Sequence, residues 1–331
     1  MSASYDIINQ PLAKLVAECP VISDFLQVYR LEVNGHSFRE TVAKLNPDFW
    51  TDFETSADEL IGQFVDLVEG MQDAEAVQQI HSLEVLPGKN KRGEQEACSL
   101  LIKPGEITCI VGPTGSGKSR LLADIEWLAN EDTPTRRKIL LNGELPDENL
   151  KSSFGGKLIA QITQNMNFVL DMDVQSFLLL HAQSRFLENA EEKVAQVIEL
   201  ANELSGEGFQ PDTPVTFLSG GQSRALMIAD VACIGQAPIV LIDEIENAGV
   251  DKRKALELLV SQEKIVLMAT HDPLLILQAD RRVVIQNGGM HKIITTNEHE
   301  KAYYHELFKL DRKMQEARNF FRLGNEYLGE F

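Results

Sequence analysis

The chain's patterning predicts an α/β fold with a mainly parallel sheet, an all-α module ahead of it and one long helix behind it. Three observations lead there. Short β-branched apolar runs recur at 107–111, 239–242, 265–269 and 282–286, as in strands buried on both faces. Between the first run and a helix-like stretch, LLADIEWLAN, lies a glycine-rich turn, Gly112–Ser119. Ahead of them all, some eighty residues carry helix-start signals.

Composition narrows the function classes. With 331 residues, 44% apolar and 24% charged, the chain has room for two domains, each with its own core. No stretch approaches eighteen apolar residues, so no membrane span is expected. The start, MSASYDIINQ, has neither the basic residues nor the apolar core of a secretory signal, which points to the cytoplasm. A net charge of −19 argues against nucleic acid as the main partner, because phosphate backbones demand a surplus of Lys and Arg. The four cysteines show no CxxC or zinc spacing and the seven histidines no HExxH. Reduced surroundings and no metal site made of protein ligands alone are the expectation.

In chain order, residues 1–80 form the first expected unit. Ser37-Phe38-Arg39-Glu40 and Ser56-Ala57-Asp58-Glu59 both have the S-x-x-E pattern, in which each side chain satisfies a backbone N–H that a helix start leaves free. After the second box, Leu60, Ile61, Phe64, Leu67 and Val68 share one helical face. Pro20 and Asn34-Gly35 divide the segment into about four short helices. Fourteen acidic and four basic residues through His81 give it an acidic surface. The run from Leu12 to Leu45 faintly resembles a small helical domain found beside redox and metal enzymes. That family's cysteines are missing around Asn34-Gly35-His36, so the likeness supports a fold and no metal site.

Residues 87–93, PGKNKRG, read as a loop or hairpin turn leading into the second unit, 81–297, with residues 155–232 mostly helical in composition. Asn287-Gly288-Gly289 turns the chain after the last strand. The third unit, 298–331, reads as one long helix. Tyr303, Leu307, Leu310, Met314, Ala317 and Phe321 recur at alternating spacings of four and three, a seam expected to pack on its own domain, with a dimer or partner surface as the alternative.

In Gly112-Pro113-Thr114-Gly115-Ser116-Gly117-Lys118-Ser119 the glycines let successive N–H groups point inward, forming a cradle for the β- and γ-phosphates of a nucleotide. Lys118 adds a point charge, and Ser119 opens the next helix with a hydroxyl suited to Mg²⁺. The run 239–242 ends in Asp243-Glu244. At a strand end beside such a cradle, Asp243 would hold Mg²⁺ through water and Glu244 would orient or deprotonate the attacking water.

Leu218-Ser219-Gly220-Gly221-Gln222 lies between these two elements, and His271 follows the run 265–269. Together, in this order, the motifs resemble those of an ATP-binding-cassette (ABC) ATPase. The resemblance spans about 200 residues and implies a P-loop core with a helical subdomain, and Mg²⁺-dependent ATP hydrolysis. It assigns Gln164, in TQNMNFVLDMDV, to the loop that contacts Mg²⁺ or water, with Gln161 as a nearby rival. It makes His271 the switch histidine on the γ-phosphate. It also makes Ser219, Gly220, Gly221 and Gln222 an anion site that caps ATP held by a second protomer. The implied assembly is a head-to-tail homodimer, or a heterodimer with a relative.

Three departures from the family pattern stand out. The usual adenine-stacking aromatic ahead of the phosphate loop is absent around Leu86-Pro87-Gly88, where His81 is the nearest ring. After Glu244 the chain reads IENAGVD, with Asp251 one residue later than usual, and Asp230 stands where an arginine is common. These features, with the extra module, resemble a divergent soluble branch of the family, one akin to activators of anaerobic metalloenzymes. They favour a soluble role on a protein partner held by the N-terminal module. The alternative is the ATP-binding subunit of a transporter, brought to the membrane by a permease docked near Gln164.

Overall fold

The computed structural model describes residues 8–18, 21–33, 35–53, 55–77, 80–146, 158–163, 168, 170–185, 187, 189–243 and 249–326. Contacts divide the chain into two compact units, 1–79 and 80–331.

Helix starts in the first unit follow the local chemistry of the chain. Ser37 Oγ accepts the N–H of Glu40 while Glu40 Oε2 accepts that of Ser37, and Ser56 and Glu59 repeat the exchange. Asn46 caps a further helix that begins with Pro47, whose missing N–H costs nothing at that position. Among the described residues five helices result: α1 (Leu12–Glu18), α2 (Val21–Val28), α3 (Phe38–Val42), α4 (Pro47–Asp52) and α5 (Ala57–Val77). That is one more than the punctuation suggests, because Asn46-Pro47 starts a helix of its own. Leu12, Ile22, Leu26, Phe38, Leu60 and Phe64 are buried at its centre. Phe38 and Phe64 stack at 3.8 Å between centroids, and Phe25 meets both edge-on.

Among its described residues the second unit holds two sheets. β1 (Leu83–Leu86), β2 (Leu100–Ile102) and β4 (Lys138–Leu141) form a small antiparallel sheet in the order β2-β1-β4. The larger sheet runs β5-β6-β7-β3-β8-β9, from β3 (Ile107–Val111), β5 (Ile159–Ile162), β6 (Ile239–Asp243), β7 (Ile265–Ala269), β8 (Arg281–Gln286) and β9 (Gly289–Thr295). Its pairs are parallel except β8 with β9. Every residue of β7 is buried, as a central parallel strand covered on both faces requires. Residues 87–93 prove to lie inside this unit, between β1 and β2. The 155–232 stretch contains strand β5, whose four residues lack the length for a clear pattern.

Helices α6 (Lys118–Glu126), α10 (Lys252–Ser261) and α11 (Pro273–Gln278) accompany the large sheet. α7 (Val174–Ser184), α8 (Ala190–Leu204) and α9 (Gly220–Cys233) form the helical subdomain. Its core includes Val194, Val197, Ala201, Ala225, Leu226 and Ala229. Asn287 and Gly288, both at positive φ (50° and 83°), make the two-residue turn between β8 and β9 that a right-twisted hairpin prefers. The last helix, α12 (Glu298–Arg322), packs on α11 but buries none of its residues, so its seam is not core packing.

Candidate functional site

Strand register alone brings three of the motifs together. Asp243, the last residue of β6, pairs with Ala269 of β7, and Ala269 pairs with Ile110 of β3. The chain therefore leaves three adjacent strands at one level: at Asp243, at Thr270-His271 and at Val111-Gly112. Neighbouring strands lie about 4.8 Å apart, so these residues share the carboxyl edge of the sheet, where open α/β sheets bind ligands. Asp243 is half-buried and His271 exposed.

The phosphate loop is shaped by what it packs against. A side chain at Gly117 would need φ 110° and would place Cβ 2.9 Å from Gly288 Cα. One at Gly112 would meet the carbonyl oxygen of Ile285 at 2.6 Å. Most of the loop's carbonyls are held. Lys118 Nζ lies 3.0 Å from Gly112 O and 3.4 Å from Pro113 O. The N–H of Gly288 donates to Ser116 O at 2.7 Å, and Lys91 Nζ donates to Gly115 O at 2.8 Å. With these carbonyls so occupied, the loop's N–H groups other than that of Ser116, which donates to Pro113 O at 3.0 Å, are left for an anion. Ser119 is exposed in the first turn of α6.

Beneath the loop lies a charged cluster that the sequence did not announce. Arg137, fully buried, donates to Glu96 at 2.5 Å, to Asp124 at 2.7 Å and to Gly288 O at 3.0 Å. Glu96 also accepts the N–H groups of Gly88 (2.7 Å) and Met290 (2.6 Å). Asp124, on α6, accepts from Thr135 Oγ1 at 2.7 Å and Arg120 Nε at 3.0 Å. The cluster thus clamps the phosphate-loop helix to the 287–288 turn and to the β1–β2 loop. Arg137 stands in the run Arg136-Arg137-Lys138, which reads as a solvated surface, so sequence pattern alone could not have found it.

At the turn formed by residues 218–222, called the signature turn below, Ser219 is the N-cap of α9. Its Oγ accepts the Gln222 N–H at 3.3 Å, and Gln222 Oε1 accepts that of Ser219 at 2.9 Å. The Gln222 amide donates to Glu207 O and Gly208 O, both at 3.2 Å. Gln222 is thus occupied with holding the turn in shape, while Gly220 and Gly221 open the helix. These bonds run within the turn and to residues 207–208; among the described residues none reaches the phosphate loop. Gly249 passes close by, with Asp251 capping α10 through the N–H groups of Arg253 and Lys254. Asp230 forms a 2.8 Å pair with His181 on α7, which gives the departure at that position a local partner.

Gln164 and Glu244 lie outside the described residues. Gln161, the rival to Gln164, sits within β5 opposite Leu241. A cavity of about 410 Å³ is lined by Gln278, Arg281, Thr296, Lys301, Tyr304 and His305. Arg281 pairs with Thr108 near the start of β3, so this cavity belongs to the sheet's opposite edge and not to the motif site. Among the described residues no group of three or more His, Cys, Asp or Glu could hold a metal ion, and no helix is long and apolar enough to cross a membrane.

The family described as ABC transporter matches residues 96–247. An uncharacterized ABC transporter ATP-binding protein of Methanocaldococcus jannaschii is 50% identical over 255 residues, covering 76% of this chain and 97% of its own. An ABC transporter ATP-binding protein of Bacillus subtilis, YxdL, is 28% identical over 63% of this chain and 82% of its own. Among solved structures, cbiO1 of Clostridium perfringens, part of the ABC transporter complex cbiONQ, superposes with a TM-score of 0.51 at 23% identity. It covers 72% of this chain and 98% of its own. An ATP-binding subunit of an ABC transporter gives 0.52 at 22%, over 67% and 92%.

Proposed function

Because the chain belongs to the ABC transporter ATPase family, and so binds and hydrolyses ATP, we propose that it works as the ATP-binding subunit of a transporter. The observation that carries the ATPase site is the register that sets Gly112, Asp243 and His271 on three neighbouring strand ends. The 50% identity to a protein named as an uncharacterized ABC transporter ATP-binding protein favours that role over the soluble one that the N-terminal module suggested.

In the proposed mechanism the N–H groups of 112–119 and the Lys118 ammonium hold the β- and γ-phosphates. Ser119, Asp243 and Gln164 would hold Mg²⁺, which would supply positive charge against the phosphate oxygens. The hard oxygen donors of Ser119 and Asp243 suit that ion. Glu244 orients the attacking water, and His271 contacts the γ-phosphate as the new bond forms. Ser219, Gly220, Gly221 and Gln222 act from a second copy of the chain, in a head-to-tail dimer. This reading is supported by a signature turn whose hydrogen bonds stay apart from its own phosphate loop.

Glu244→Gln is expected to keep ATP binding and to lose turnover by about 10²–10⁴-fold, read as steady-state phosphate release. A rate close to wild type would remove Glu244 from this role. Lys118→Ala should instead weaken ATP binding itself. For the transporter role, tagged Glu244→Gln recovered in detergent with ATP-Mg²⁺ should retain a multi-span membrane protein, because the closed state it accumulates enriches whatever binds that state. Recovery of only a soluble protein, lost on deleting residues 1–79, would restore the soluble reading.

A further inference from the structure

α12 carries an apolar seam that the described residues of its unit leave largely uncovered. Its start is fixed. Asn297 and Glu300 exchange capping hydrogen bonds, Glu300 pairs with Arg282, and Arg253 lies over the Phe308 ring at 5.7 Å. The residues turned toward the body are therefore Glu300, Tyr304 and Phe308. The seam of Tyr303, Leu310, Met314 and Phe321 sits about 100° further round the helix, and each of these four is more than half exposed. Leu307 and Ala317 complete it, half-buried. It spans about 27 Å at 1.5 Å per residue.

The seam's charges identify its occupant. From Glu298 to Asp311 the helix carries four carboxylates and two lysines; from Arg312 to Arg322 it carries four cations and one carboxylate. A parallel pair would set like charge on like. An antiparallel pair about a two-fold axis at Arg312 sets each basic half on the partner's acidic half, with the two helix dipoles opposed. The same axis brings Leu310 onto Met314, Leu307 onto Ala317 and Tyr303 onto Phe321, so the seam closes on itself with no apolar residue unmatched.

We propose that α12 is a self-association helix, pairing antiparallel with α12 of a second copy of this chain. The contact is separate from the ATP-dependent closure proposed above and holds without nucleotide. One helix pair lies at the small end of interface sizes, so association is expected in the micromolar range. It would keep two cassettes tethered while their nucleotide sites open.

The test uses the full chain without nucleotide. At about 50 μM the wild type should sediment as a dimer. Leu310→Glu combined with Met314→Glu should sediment as a monomer, with unchanged circular dichroism and ATP affinity. Orientation is read separately: chains carrying Tyr303→Cys and Phe321→Cys, mixed and oxidised, should cross-link to each other, and neither should link to itself beyond the background of the unsubstituted chain. A monomeric wild type, a dimer indifferent to the double substitution, or self-linking of the Tyr303→Cys chain would each overturn the proposal. Failure here would leave the ATPase site untouched, since phosphate release by the wild type reports on that independently.

Discussion

Arg137 shows how much of the phosphate loop's rigidity rests on a residue that never meets the nucleotide. It is fully buried between two carboxylates, one on the loop's own helix. Arg137→Met would leave Glu96 and Asp124 buried with that charge gone, and losing one partner of a buried ion cluster costs about 3–5 kcal/mol. The loss should appear as a lower midpoint in urea unfolding. Lys264 offers a second residue-scale test. Burial pushes its ammonium down to about 8 from an ordinary 10.5, while Nζ donates to Gly235 O at 2.8 Å. Between those two values the unfolded chain binds the extra proton, so unfolding becomes harder as pH rises through the window. Relative to Lys264→Met, the wild type should therefore gain stability between pH 8 and about 10. A constant difference would show that Lys264 does not titrate as its burial demands. The motif residues were legible in the sequence because a phosphate cradle demands glycines and a lysine at fixed spacing. Arg137 and Lys264 were not, because a buried charge leaves no pattern in its neighbours.

At the scale of elements, the capping boxes at Ser37 and Ser56 and the strands β3, β6, β7 and β8 could be read directly, since a cap or a doubly buried strand is a local signal. The strands β1, β2 and β4 are short and partly exposed, and nothing local marks them. For α12, periodicity identified the apolar face but not what it faces, which only the surrounding packing decides. The first unit has a core built from its own residues. Residues 1–79 on their own are accordingly expected to unfold cooperatively. Phe64→Ala in that fragment should cost about 3–5 kcal/mol, because it removes the ring stacked on Phe38. The fragment 80–331 should keep ATP hydrolysis near that of the whole chain. A fragment that folds but does not bind ATP would mean that the first unit completes the nucleotide site.

For the whole molecule, the family, the α/β cassette and the order of its motifs were legible in the sequence. The biological role was not, because the module and the altered 244–251 segment pointed toward a soluble function while the relatives point to transport. The segments 147–157, 164–167 and 244–248, which carry Gln164 and Glu244, lie outside the described residues, so their roles rest on the motifs. The central claim is that hydrolysis needs a phosphate loop from one copy and a signature turn from another. The most direct measurement is phosphate release by an equimolar mixture of two inactive chains, Lys118→Ala and Ser219→Arg. In a mixed dimer both defects fall in one composite site and the other site is whole, so partial activity should return on mixing. No recovery, with mixed dimers demonstrated in the same sample, would contradict the shared site.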